Sequence, residues 1–192
     1  MRSFIATDFD DEIKKRLGDL QSRLKPRLPG LKWTRPEQLH VTLKFLGEIA
    51  DRQIVPISQA LDALAAGCEP FDVTIAGLGA FPPAGRVNVI WVGIDDVENR
   101  LAHCQSRCEE LIGPLGFPPE NRRFSPHLTL ARNNNPRISR EIREALSSLG
   151  SPSLGVQCID HLTLYQSTLG KGGATYQALS RHHFRAPAPQ AP

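Results

Sequence analysis

Apolar and polar residues alternate with a period of two from Leu39 to Gly47, which predicts a strand. The same reading places strands at Arg2–Phe9, Leu31–Thr34, Phe71–Leu78, Arg86–Ile94, Phe124–Arg132, Gly155–Ser167 and Thr175–Phe184. Longer amphipathic stretches predict helices over Asp10–Leu24, Asp51–Ala66, Asp96–Leu111 and Ser139–Leu149. Asp10 and Asp51 suit helix N-caps, and Gly67 suits a helix stop. Pro and Gly mark Gly79–Gly85 and Pro114–Arg123 as loops, and Gly170-Lys171-Gly172-Gly173 as a turn. Helices and strands are mixed and several strands form hairpins, so the pattern predicts α+β with antiparallel sheets rather than a doubly wound parallel sheet.

One tetrapeptide recurs within the strands. His40-Val41-Thr42-Leu43 returns as His127-Leu128-Thr129-Leu130, 87 residues later and close to half the chain length. Residues i and i+2 of a strand share a face. Each copy therefore presents an imidazole and a hydroxyl on one face and two apolar side chains to a core. Lys44 follows Thr42 by the same alternation and is expected on the polar face. If two such faces meet across a groove, the set suits phosphodiester chemistry without a metal. One neutral histidine takes a proton, one protonated histidine gives one, and threonine hydroxyls bind phosphate oxygens. A single copy is common and says little; two at half-chain separation suggest two related lobes. A third copy, His161-Leu162-Thr163-Leu164, fits the spacing as well as the others, and periodicity does not choose among the three.

Composition adds limits. The chain has 192 residues, 40% apolar and 22% charged, which suits one globular domain. A net charge of +3 is compatible with an anionic substrate without requiring one. The four cysteines form no C-x-x-C pair. Cys104 and Cys108 share a helix face, and the four are read as reduced, half-buried thiols with no zinc site. No leader and no membrane-spanning stretch is read from the sequence, so a cytoplasmic monomer is expected. The Pro/Ala run that ends the chain, from position 185, is expected to be disordered.

The flanking residues give the tetrapeptides a context. Arg2-Ser3-Phe4-Ile5-Ala6, Gln38–Glu48, Gly79-Ala80-Phe81-Pro82, Val89–Gly93 and Phe124–Arg132 together resemble the 2H phosphoesterases. The likeness is nearest to their RNA 2′,3′-cyclic phosphodiesterase branch, the 2′-5′ RNA ligase or LigT-like group. Leu164-Tyr165-Gln166-Ser167, Gly173 and Tyr176 resemble that family's last hairpin, so the likeness spans residues 1–184. It implies one bilobal catalytic unit in which two antiparallel sheets with flanking helices line a central cleft. It also implies His40 and His127 as acid and base, and Thr42, Thr129 and Arg132 as phosphate ligands. It leaves His161 incidental, because the family's pattern asks for no histidine there.

The expected substrates are RNA ends or cyclic nucleotides, with no cofactor and no metal. Phe81, in a predicted loop, is the base-stacking candidate, and Trp91, in an apolar strand, reads as core. His103 and His182-His183 read as structural or surface residues. The chain has no K-x-D-G and no Walker loop, so any 2′-5′ ligation would be ATP-independent reversal of cleavage. Competing readings are a metal-dependent hydrolase, a non-catalytic RNA-end binding module, and an enzyme acting on a small cyclic phosphate such as ADP-ribose cyclic phosphate. Neither H-x-H nor H-E-x-x-H is present to favour the first.

Overall fold

A computed structural model describes residues 1–121, 123–170 and 173–185. The described residues form nine strands and four α-helices. In chain order these are β1 (Arg2–Thr7), α1 (Asp11–Leu24), β2 (Lys32–Trp33), β3 (Val41–Glu48), α2 (Ile54–Ala66), β4 (Phe71–Phe81), β5 (Val89–Asp95), α3 (Arg100–Ile112), β6 (His127–Arg132), α4 (Ser139–Leu149), β7 (Ser153–Ile159), β8 (His161–Gly170) and β9 (Gly173–His183). All strand pairings are antiparallel. The fold is α+β, with a four-stranded sheet in the order β3-β1-β8-β9 and a five-stranded sheet in the order β2-β6-β5-β4-β7. The expected Pro/Ala tail from Ala186, and the two central residues of the Gly170–Gly173 turn, lie outside the described residues.

Local signals act as expected at several ends. The Asp10 carboxylate accepts the Ile13 N–H at 2.8 Å and so satisfies one of the unpaired donors that open α1. Gly67 closes α2. The expected start of the third helix at Asp96 is a cap rather than a first turn: its carboxylate accepts the Leu101 N–H at 2.6 Å, and α3 begins at Arg100. Likewise Asp51 opens a short 3₁₀ turn, and α2 starts at Ile54.

Two strand expectations change. The single strand expected over Gly155–Ser167 is two strands, broken at Asp160. β7 pairs with β4 in the larger sheet, whereas β8 pairs with β1 in the smaller. Ile159 and Asp160 interrupt the phase shared by Val156, Cys158, Leu162 and Leu164, a one-step slip too short to divide the strand by periodicity alone. The expected loop at Gly79–Gly85 is shorter, because β4 runs on to Phe81 and pairs it with Val89.

Helices cover one face of each sheet. α2 packs on β8 and β9 and α3 on β3, while α1 packs on β7 and α4 on β4. Ile13, Leu17, Leu20 and Leu24 repeat at helical spacing and form the buried stripe of α1. Gln21, fully buried between them, donates to the carbonyls of Thr34 and Leu130, at 2.7 and 3.1 Å, and ties α1 to β6. The opposite face of each sheet is left for chemistry.

Candidate active site

His40 immediately precedes β3 and His127 opens β6, so the two tetrapeptides lie in different sheets. Both imidazoles are held in the same way. Nδ1 of His40 lies 2.7 Å from the Gln38 carbonyl, and Nδ1 of His127 lies 2.7 Å from the Ser125 carbonyl. A carbonyl only accepts, so each Nδ1 carries the hydrogen and each Nε2 is left for another partner. Each ring also has an aromatic neighbour edge-on, Tyr176 for His40 and Phe81 for His127, both at 5.1 Å between centroids. Phe4 stacks on the other side of His40 at 4.7 Å. Thr42 and Thr129 are half-buried two residues further along their strands, on the same faces as their histidines.

A β-bulge falls on the last residue of each tetrapeptide and changes which residues come next. In β3, Ala6 pairs with Thr42 but Ile5 pairs with Lys44, so Leu43 is the extra residue. Lys44 is thereby turned to the helix side, against expectation. It is fully buried, ion-paired with Glu109 of α3, and donates to the Pro118 carbonyl at 2.9 Å. Phe45, paired with Phe4, comes onto the His40 face, and 58% of its surface is exposed. In β6, Trp91 pairs with Thr129 but Ile90 pairs with Ala131, so Leu130 is the extra residue. Arg132 is an odd number of residues from His127, and plain alternation would send it to the opposite face. The bulge returns it to the His127 face, where it is exposed.

Trp91 is likewise corrected. It shares the face of Thr129 and His127 rather than the core, and its ring lies 5.1 Å from that of Phe81. Gly79 makes room for it: a Cβ there would stand 2.1 Å from the indole. Phe81, His127 and Trp91 thus form one aromatic wall.

Electrostatics connect the sheets. The Arg132 guanidinium, on the His127 strand, acts on both His40 and Tyr176 of the other sheet. Burial lowers the proton affinity of His40 below the ordinary imidazole value, and Arg132 adds to this. The Gln38 carbonyl and the Asp8 carboxylate work in the opposite direction. Asp8 was not singled out in the sequence. It follows β1 on the face of Phe4 and Ala6, and accepts from Tyr165 and, at 3.2 Å, from Arg181. Burial opposes its charge, but bonds from His161 and Tyr165 outweigh that and hold its carboxyl below the ordinary range.

The third tetrapeptide lies in β8, two strands from His40 with β1 between. Its geometry differs from that of the other two. His161 Nδ1 is 2.6 Å from the Asp160 carboxylate and Nε2 is 3.5 Å from that of Asp8, so neither nitrogen is left open. Burial disfavours its charge, but these two carboxylates outweigh it and raise its proton affinity. Thr163 is fully buried, unlike Thr42 and Thr129. Donor atoms of Asp160, His161 and His183 lie within 4.8 Å of one another, a set able to ligate a cation, and His40 and His127 are not members. His103 is exposed on α3, and His182 is buried against Asp62 of α2 at 2.6 Å.

Comparison with known proteins identifies the family. Residues 8–91 and 92–176 both match the family model described as LigT like Phosphoesterase. The chain belongs to the LigT-like phosphoesterases. A relative from Methanothermobacter thermautotrophicus named "RNA 2′,3′-cyclic phosphodiesterase" is 30% identical, over 92% of this chain and 95% of its own. One of the same name from Archaeoglobus fulgidus is 32% identical over 93% of this chain and 98% of its own. The crystal structure of TT0787 of Thermus thermophilus superposes with a TM-score of 0.82, at 25% identity, over 98% of this chain and 100% of that one. In this LigT-like phosphoesterase, repetition pointed to His40, Thr42, His127 and Thr129 and resemblance to Arg132 as candidates, and the structure sets each histidine and its threonine on one face of its sheet. The sequence missed Phe4, Asp8, Phe45, Tyr165 and Tyr176. Period-two alternation through β1 was the available signal for Phe4 and Asp8, whereas the bulge hid Phe45.

Proposed function

We propose that this LigT-like phosphoesterase is an RNA 2′,3′-cyclic phosphodiesterase that uses His40 and His127 as its acid and base. The observation that carries the reading is the matched tethering of the two imidazoles, each with Nδ1–H on the carbonyl two residues before it. An imidazole so fixed presents Nε2 as acceptor when neutral and donor when charged, which is what proton transfer to and from oxygen needs. The names of the relatives support the same substrate class.

In this reading the cyclic phosphate lies between the two sheets, with Thr42, Thr129 and Arg132 on its non-bridging oxygens. His127 takes a proton from water as it attacks phosphorus. His40 gives its proton to the departing 3′ oxygen, leaving a 2′-phosphomonoester. Burial lowers the proton affinity of His40, so its protonated form is a stronger acid than an ordinary imidazolium, and the phosphate's negative charge helps keep the proton on it until transfer. Phe45 and Phe81 offer ring surfaces to the terminal base. Reversal of a 2′-5′ cleavage by the same groups would give ATP-independent ligation. Residues 1–184 act as one catalytic unit.

The test is turnover of 2′,3′-cyclic nucleotides by separate alanine variants. His40→Ala and His127→Ala should each lose on the order of 10³-fold in kcat, within the span of one general acid or base. His161→Ala should keep most of its activity, and EDTA should leave turnover unchanged. Near-normal turnover by either of the first two variants would overturn the assignment. Phosphorus NMR of the product identifies which oxygen leaves.

A further inference from the structure

We infer that Cys68 and Cys104 are a redox modification site: exposure to a hydroperoxide joins them in a reversible disulfide, with Cys68 as the attacking thiol. Their Sγ atoms lie 3.7 Å apart although they are 36 residues apart in sequence. Cys104 is on the buried face of α3, and Cys68 follows Gly67, the residue that closes α2. The disulfide separation is about 2.05 Å. The remaining approach falls on Cys68, which lies beyond the last turn of α2, its N–H on the Ala65 carbonyl at 3.2 Å and its own carbonyl accepting the Arg185 N–H at 2.9 Å, so that a rotation of its side chain closes the gap.

The pair is asymmetric in the way the chemistry requires. Cys68 is half-buried and reachable from solvent, whereas only 4% of Cys104 is exposed. The two thiols share a hydrogen bond in which either can donate; with Cys68 the one reached by solvent, that bond and the positive charge of Arg100 and Arg107 draw its thiol toward the thiolate. Its partner is held protonated by that same bond and by burial. The thiolate is the reactive form. The other two cysteines lack this setting. Cys108 is fully buried and its thiol is pushed up to about 12, chiefly by burial. Cys158 is exposed, but partial burial of its sulfur and the carboxylates of Asp72 and Asp160 hold it protonated.

The steps balance without another reactant. The Cys68 thiolate attacks the peroxide, an S–O bond forms as the O–O bond breaks, and Cys68 becomes a sulfenic acid with release of hydroxide or the alkoxide. The Cys104 thiol then attacks that sulfur, the S–S bond forms, and the sulfenic oxygen leaves as water after taking up the thiol proton. Two thiols are oxidised and one peroxide is reduced.

The experiment treats the full chain with equimolar hydrogen peroxide, blocks remaining thiols with N-ethylmaleimide, and reads intact mass and a non-reducing peptide map. The expected product has lost two hydrogens, takes up two labels rather than four, and carries a linked peptide pair containing Cys68 and Cys104. Dithiothreitol should restore all four labels. Cys104→Ala should instead gain oxygen on Cys68, and Cys68→Ala should keep its three thiols labelled. Oxidation of Cys158 or Cys108 before Cys68, or sulfinic acid on Cys68 of the unaltered chain with Cys104 still labelled, would overturn the inference. The wild-type map requires no substitution to fold, and none of these readouts depends on the phosphodiesterase reading.

Discussion

His40 holds its proton under opposed influences, and this makes its role measurable. Burial and Arg132 push its proton affinity below the ordinary imidazole value of about 6.5, while the Gln38 carbonyl and Asp8 support the charged form. An acid must be protonated to act, so the alkaline limb of kcat/KM should fall at a pH below that of an unperturbed imidazole. Asp8→Asn removes a supporting negative charge. The alkaline limb should then move to lower pH still, measured with a 2′,3′-cyclic nucleotide across pH 5–9 at about 0.1 M salt, where charge effects are only partly screened. Movement of the acid limb instead would make His40 the base. No movement of either would remove Asp8 from the site's electrostatics. The choice among three identical tetrapeptides also belongs at this scale. Spacing made His161 equal to His40 and His127. What separates them is the acceptor at Nδ1, a backbone carbonyl in two cases and a carboxylate in the third. All three acceptors stand one or two residues before the ring, so Asp160 was a signal within reach of the sequence; that its carboxylate rather than a backbone carbonyl takes Nδ1 depends on the local course of the backbone.

At the scale of the element, the two bulges decide which side chains join the site. Alternation placed His40 with Thr42 and His127 with Thr129, and both pairings hold because they precede the extra residue. It then assigned Lys44 to the wrong face because one residue of β3 is unpaired. A bulge leaves no composition signal in Thr42-Leu43-Lys44, so it shows only when the partner strand is known. The consequence is testable. Lys44 and Glu109 form a largely buried ion pair, with side-chain exposures of 0% and 15%. Removing one partner from such a pair leaves a buried charge uncompensated and costs about 3–5 kcal/mol. Lys44→Ala should therefore lower the unfolding free energy obtained from urea titration by an amount in that range, while the folded fraction keeps its kcat. Lys44→Met with Glu109→Gln should recover much of the stability. A large kcat loss with unchanged stability would return Lys44 to the cleft. The Trp91 correction has the same origin, since an apolar-looking strand can bury either face, and the seat at Gly79 becomes visible only in register.

At the scale of the whole molecule, the two sheets do not correspond to the two halves of the sequence. The first half supplies β2, β4 and β5 to the five-stranded sheet, and the second supplies β8 and β9 to the four-stranded one. α1 leaves β1 of the smaller sheet and packs on β7 of the larger, with Gln21 bonded to Thr34 and Leu130. The chain returns from β7 to β8 through a single residue, Asp160. The mixed fold class was legible in the alternation of helical and strand periods, but this interleaving was not: Ile159 and Asp160 interrupt the alternation, yet nothing in that interruption says that β7 and β8 join different sheets. Elements crossed in this way should lose structure together. Both tryptophans, Trp33 and Trp91, stand in the larger sheet, whereas Leu164 is fully buried in the smaller one. Leu164→Ala should cost about 3 kcal/mol by leaving a cavity, which lowers the midpoint by roughly 6–12 °C for a chain of this size. If the sheets unfold as one, tryptophan fluorescence should report the full shift and coincide with far-ultraviolet circular dichroism. An unmoved fluorescence transition beside a shifted dichroism transition would mean that the sheets unfold separately. The arrangement of His40 and His127 would then depend on docking between two independent bodies rather than on one cooperative fold.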